Sequence, residues 1–526
     1  MKKKKVVAWG VALTLLTVGL SGCFGTGNET AEGPKGDLSN LNTEGFPIVK
    51  EPIQLKMMGM HNSTMVEWDK NKFFQRMEEK TNIQFEYIAV SSQNYSEKKS
   101  LAFASGDLPD VFFRAAFTAQ EETKYAEQGL LIPLGDYIST YAPNLDKVLK
   151  EREDVKKAIT LESGDIVTLP DIGSNKSAAH YYLNQKWMDT LGLEEPETVE
   201  DFYNVLKAFK EKDPNGNGQA DEIPFSVQGG TMLNSLMSSW GLLYNDVNVF
   251  VDDNGKVLYT PAQPQYKEAL KFLKRLYSEG LMDTEVFTQT AEQLKAKGNQ
   301  GVLGSFYQAG AFLIVGEAQH FDYQSMKPLT SDVNDTQIYP GTSGINRGTF
   351  AITNKNPYPE ATMRWVDYLY TEEGAKLAWA GEENEDYKFN DDGTWDWILP
   401  EGYDVAKHRG EISVQGTTFF PELQPSEFWN KLNNPLEASL VDIRARVNQY
   451  DRLPYPTVYF SNDDQKRIAA IHADLKEYVN QSQARFITGD MDIDSEWDTY
   501  ITTMENMGMK ELVDIYQKRY DKYVTE

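Results

Sequence analysis

The sequence predicts an α/β protein with more than one hydrophobic core. Three observations carry this. Strand-like and helix-like segments alternate along most of the 526 residues. About 480 residues follow the N-terminal region, enough to hold two or more cores. From Asp463 onward the pattern is almost wholly helical, with Ile468, Ile471, Leu475 and Tyr478 on one stripe and Trp497, Met504 and Leu512 on later ones.

The elements follow in chain order. Ile53-Gln54-Leu55-Lys56-Met57-Met58 reads as a first strand. Phe73, Phe74 and Met77 then recur at helical spacing before Asn82, and Ile83-Gln84-Phe85-Glu86-Tyr87 alternates as a second strand. Thr198 precedes a stripe of Val199, Phe202, Leu206 and Phe209, and Asp201 three residues after it gives a capping-box-like start. Tyr266, Leu270, Leu273 and Tyr277 form a further helix, stopped at Gly280. No internal repeat is present.

The first residues concern destination rather than fold. Lys2 to Lys5 form a basic start, and Val6 to Leu20 an apolar run of 15 residues. That run is short for a spanning helix, which needs ~20 residues, and it fits a signal-peptide core. Leu20-Ser21-Gly22-Cys23 follows and looks like a bacterial lipobox, in which Cys23 is lipidated. Cys23 is the sole cysteine, so no intramolecular disulfide competes for it. Residues 1–22 are therefore expected to be a lipoprotein signal peptide and residues 23–49 a flexible tether. Removing residues 1–22 deletes four lysines and no acid, which moves the formal charge from −27 to −31. Such a surface repels nucleic acid and anionic lipid, so the expected contact with the membrane is through the lipid anchor only.

Several separated segments share a resemblance. Gly106-Asp107-Leu108-Pro109-Asp110-Val111, Gly129-Leu130-Leu131-Ile132-Pro133-Leu134, Tyr182-Leu183-Asn184-Gln185-Lys186-Trp187 and Pro359-Glu360-Ala361 through Gly374 resemble, in order and spacing, family 1 extracellular solute-binding proteins of ABC importers. Phe486-Ile487-Thr488-Gly489 with Trp497 resembles the large lipoprotein subgroup that includes alginate- and oligosaccharide-binding receptors. The resemblance implies a two-lobe, type II periplasmic-binding-protein-like fold. Its discontinuous lobes are joined by crossing strands, with the ligand in the cleft between them. By analogy, the first lobe spans 50–177 plus 348–380 and the second 178–347 plus 381–526. It further implies a monomer on the extracytoplasmic face of the cell membrane that captures an oligosaccharide and hands it to ABC importer permease subunits by lobe closure.

One loop has the chemistry of a calcium site. Calcium takes several hard oxygen ligands at once. Asp213, Asn215 and Asn217 occupy the first, third and fifth places, Gly218 allows a turn at the sixth, the Gln219 carbonyl falls seventh and Asp221 ninth. Pro224 stands where an acid is usual at the twelfth place. Glu222 at the tenth replaces that acid, as in the alginate-binding receptors the loop resembles. The ion is expected to be structural; the bland alternative is an Asn/Gly turn.

Pyranose rings have apolar faces and hydroxyl edges, so their receptors combine aromatic platforms with planar polar groups. Trp187, Trp365 and Trp497 sit on helical stripes and read as core. Trp68, in a loop that faces the cleft in the resembled fold, is open to either role, and Trp240, beside Gly241, reads as ligand-binding. Trp395 and Trp397, alternating after Asp391-Asp392-Gly393, are ligand candidates or a surface hairpin. Arg114, at a strand end, and Arg347, at an expected crossing, could fork onto hydroxyls or simply pair with acids. The histidines at 61, 180, 320, 408 and 472 lack ligand spacing, and no Gly-x-Ser-x-Gly elbow or phosphate-cradling loop occurs. No enzyme is expected. The alternatives are a sugar-sensing or adhesive surface lipoprotein and a surface glycoside hydrolase, since 79 acids allow chance carboxylate pairs.

Overall fold

The computed structural model describes residues 38–173, 179–414 and 419–525. The expected signal peptide, Cys23 and the first part of the expected tether lie outside the described residues. Among them no helix is long and apolar enough to cross a membrane.

Ten strands build two sheets: β1 (Ile53–His61), β2 (Ile83–Ser91), β3 (Val111–Phe113), β4 (Leu169–Ile172), β5 (His180–Asn184), β6 (Ile223–Ser226), β7 (Leu303–Gln308), β8 (Tyr323–Ser325), β9 (Ile345–Ile352) and β10 (Glu422–Leu423). The first sheet has the order β10-β4-β9-β3-β1-β2 and the second the order β8-β5-β7-β6. β9 runs antiparallel to both β3 and β4, while β1 pairs with β2 and β3 in parallel. Each sheet has its own core. One gathers Leu55, Phe73, Phe113, Phe350 and Trp365, the other Phe202, Phe225, Leu270, Leu475 and Phe486. This is the two-lobe α/β arrangement the resemblance implied.

The local elements form for the reasons their residues suggest. Asn82, at φ 61°, ends the helix Lys72–Thr81 in the left-handed conformation that Asn tolerates. Thr198 and Asp201 close a capping box on the helix Val199–Glu211. Gly59 in β1 is required by close approach, since a Cβ there would lie 1.8 Å from the Phe113 carbonyl oxygen.

Two expected boundaries are corrected. Residues 38–49 of the expected tether are not free, because Leu41, Ile48 and Val49 are buried in the first core and Arg364 donates to the carbonyls of Asn42 and Gly45. Residues 381–414 and 419–432, expected in the second lobe, belong to the first. β10 pairs with β4, Asn71 donates to the Ser413 carbonyl at 2.9 Å, and Arg76 binds Asp386 at 2.5 Å. The chain therefore crosses between lobes a third time, just before the helix Pro435–Asn448, whose Leu440 and Ile443 pack on the second sheet's side.

Candidate ligand-binding cleft

The first-lobe face of the cleft is an aromatic platform. In the hairpin Tyr387–Phe389 and Trp395–Trp397, residues 395 and 397 share a face because strand side chains alternate. Trp395 is fully buried, stacked on Phe428 at 4.4 Å, and its indole N–H donates to the Phe428 carbonyl at 2.7 Å. Trp397 stands edge-on to it at 4.9 Å and is half-buried. Trp429 lies 5.4 Å from Trp395, 6.1 Å from Trp397 and 5.4 Å from Trp379. Three half-buried indoles, of Trp379, Trp397 and Trp429, thus sit together. The Arg409 guanidinium lies 5.1 Å from the Trp429 ring, and its buried Nε has no hydrogen-bond partner among the described residues.

The second lobe answers this platform. Burial lowers the Arg409 pKa to about 10, against the attraction of Glu437 at the start of the helix Pro435–Asn448. Glu437 also acts on Arg444, two turns along that helix. Arg444 in turn lies near His180 and Tyr182 of β5; burial and this cation hold His180 neutral, with its pKa lowered to about 4. Beside them is a tyrosine wall. Ser235 Oγ donates to the Tyr181 hydroxyl at 2.9 Å, which donates to the Met232 carbonyl at 3.0 Å, and half-buried Tyr307 lies 5.0 Å from Tyr181. Indoles on one side and tyrosine hydroxyls, a carboxylate and guanidinia on the other can stack on apolar ring faces and bind hydroxyl edges.

Below the platform, Asp171 accepts from Asn346 Nδ2 at 2.7 Å and from Gln424 Nε2 at 3.0 and 3.1 Å. Burial raises the Asp171 pKa to about 7. Glu422 accepts from the Trp379 indole, and burial, then Asp171, raise its pKa well above the ordinary value.

The tryptophan and arginine candidates divide. Trp68 is not cleft-facing, since it is 1% exposed and stacks on Phe74 at 5.0 Å inside the first core. Trp240 is likewise core, packed 5.5 Å from Phe272 in the second lobe. Trp395 supports the platform from beneath, and only Trp397 of that pair presents a ring at it. Arg114 is fully buried at φ 53°, donating Nη1 to the Val414 carbonyl at 2.7 Å and to the Met65 sulfur. Arg347 stacks on Tyr459 at 4.2 Å and donates to the Val458 carbonyl at 3.0 Å, which ties β9 to the late segment. Trp379, Trp429, Arg409 and the Asp171–Glu422 pair were not anticipated. Phe428-Trp429 beside Pro425 and Asn433 offered a signal, as an aromatic pair in a short segment without an extended helical stripe, which folds as the helix Ser426–Trp429.

The 213–222 loop lies on the second lobe, away from the cleft. Asp213 (φ 45°), Gly216 (72°) and Gly218 (75°) fold it tightly. The Asp213 carboxylate accepts from the backbone N–H of Asn217 at 3.1 Å and Gly218 at 2.9 Å. Asn215 and Asn217 reach Asp221 through their side-chain amides at 3.0–3.1 Å, and Gln219 donates its backbone N–H to Asn217 Oδ1 at 2.7 Å. Glu222 Oε1 is buried without a partner, and burial, with Asp213 and Asp221, raises the Glu222 pKa. Among the described residues no group of three His, Cys, Asp or Glu side chains is arranged to hold a metal. The loop's donors instead combine carboxylates with amide and carbonyl oxygens. That set, with an orphaned carboxylate oxygen, fits a hard cation.

Comparison with known proteins bears on the family and the fold. A family model described as bacterial extracellular solute-binding protein matches residues 62–376. The fructooligosaccharide ABC transporter substrate-binding protein FusA of Streptococcus pneumoniae serotype 4 is 30% identical over 99% of both chains. A solved structure of S. pneumoniae FusA in complex with kestose aligns at TM-score 0.73 and 28% identity, covering 90% of this chain and 100% of that one. The FusA EF-hand mutant in complex with fructo-nystose aligns at TM-score 0.73 and 27% identity, covering the same shares.

Proposed function

The chain belongs to the bacterial extracellular solute-binding protein family, and from that premise we propose that it captures an oligosaccharide between its lobes and delivers it to an ABC importer. The observation that carries this reading is the platform of Trp379, Trp397 and Trp429 with Arg409, set opposite Glu437, Arg444 and the tyrosine wall. Stacked indoles favour a ring without demanding one hydroxyl pattern, and the polar groups select orientation. Each lobe holds half of these groups. Ligand bound to one half gains the other only on closure, so it favours the closed form by the difference in contacts. The likeness to FusA over 99% of both chains supports a fructooligosaccharide as the first cargo to test. Of the ligand residues inferred from sequence, Trp397 keeps that role in this reading.

Calcium would be held by Asp213, Asn215, Asn217, the Gln219 carbonyl, Asp221 and Glu222, neutralising three carboxylates and stiffening the loop after the helix Val199–Glu211. Cys23 carries the lipid in this reading, and permease subunits meet the closed monomer. No turnover belongs to the account. Isothermal calorimetry with kestose and nystose tests the cargo: binding at micromolar Kd or tighter, with sugar recovered intact, is expected. Absence of binding to every neutral oligosaccharide tried would count against it.

A further inference from the structure

β10 pairs with β4 in parallel, and Glu422 stands beside Asp171. Neighbouring strands lie about 4.8 Å apart, so these two side chains leave the backbone side by side on one face. Both are buried. The groups that donate to them are neutral: the Asn346 and Gln424 amides to Asp171 and the Trp379 indole to Glu422. The other titratable groups packed around them are Tyr370 and Asp367. The Tyr370 hydroxyl is engaged on the Pro170 carbonyl at 2.6 Å, and the Asp367 carboxylate on the Asn144 and Leu145 amides. Among the described residues no cation acts on either carboxyl. Two adjacent carboxyls in a dry site without a cation do not both ionise, because their repulsion and desolvation add.

We infer that Asp171 and Glu422 keep one proton between them at neutral pH and are positioning residues for the ligand, Glu422 through Trp379 and Asp171 through Gln424. This rests on the oligosaccharide reading of the cleft. Trp379 is one of the three platform rings. Gln424, just past the end of β10, is half-buried and packs against Gly173 just after β4, where a Cβ would lie 2.7 Å from its Oε1. When the proton leaves, two carboxylates repel, and the strain falls on the indole and the amide that are hydrogen-bonded to them.

The test compares wild type with Glu422→Gln and Glu422→Leu from pH 5 to 9, using kestose as the probe and thermal unfolding of ligand-free protein as a second readout. Kestose affinity of the wild type is expected to be flat at low pH and then to weaken, by at most about tenfold per pH unit for release of one proton. Glu422→Gln keeps an oxygen for the indole and gives Asp171 a permanent N–H donor, so it should bind like wild type at low pH and lose the pH dependence. Glu422→Leu removes the acceptor and should bind weakly throughout. The folded carboxyls hold their proton more tightly than the unfolded ones. Their stabilisation is therefore present at low pH and lost as pH rises through the folded titration, so wild type should lose melting temperature relative to Glu422→Gln between pH 5 and 8. If kestose binds no form, the cargo fails while the ligand-free comparison still decides the pair. Should Glu422→Gln not fold, Asp171→Asn takes its place. Parallel stability profiles for wild type and the amide variant overturn the shared proton, and equally pH-dependent kestose binding in both overturns the positioning role.

Discussion

Trp397→Ala separates binding from folding. The Trp397 ring is half-buried and rests edge-on against Trp395 at 4.9 Å, so part of it is held by packing and part remains exposed. Covering an indole area on the order of 50 Å² with a sugar ring contributes ~1.3 kcal/mol at about 25 cal/mol per Å². Stacking adds roughly 0.5–1.5 kcal/mol. Losing both costs about 2–3 kcal/mol, or roughly 30- to 150-fold in Kd. The control is Trp395→Ala. That ring is fully buried against Phe428, and its removal also takes away the indole donor to the Phe428 carbonyl, so a loss of about 3–5 kcal/mol of stability is expected. Calorimetry with kestose and differential scanning calorimetry should therefore give opposite patterns, with affinity lost in Trp397→Ala and melting temperature lost in Trp395→Ala. A Trp397→Ala protein that binds kestose as tightly as wild type would refute the platform.

Chelation should lower the melting temperature by a few degrees, because an ion at about 100 times its Kd stabilises the native state by ~2.7 kcal/mol; Asp213→Ala with Asp221→Ala should abolish that response, and an unchanged melting curve together with no bound metal by elemental analysis would remove the site. Trp68→Ala and Trp240→Ala should each destabilise by about 3–5 kcal/mol, since both rings are core; either variant keeping wild-type stability while losing ligand would return that residue to the cleft. Cys23→Ala should leave the precursor without label when cells are fed labelled palmitate, and continued labelling would refute the lipobox.

Where the signal is local, the sequence was a good guide. The strands from Ile53 and Ile83, the Thr198 capping box and the late helices appear where their periodicity and caps put them. Long-range packing escaped it. The assignment of 419–432 to the first lobe depends on β10 pairing with β4 across 251 positions, which no neighbouring residue announces. Trp68 follows the first strand in a loop and Trp240 stands beside Gly241, yet nothing local says that Phe74 and Phe272 will close over them. Trp379 was hidden because the helix Glu372–Ala380 carries it at a position that reads as stripe. Arg409 matters through the partner its Nε lacks, and that is visible only once the platform has formed.

The most direct test of lobe-closing sugar capture is small-angle scattering of the purified protein titrated with kestose, with the sugar recovered afterwards. The account predicts saturable compaction at a one-to-one ratio, loss of that compaction at equal sugar concentration in Trp397→Ala, and intact kestose at the end. Cleaved sugar, or binding without any change in shape, would contradict it.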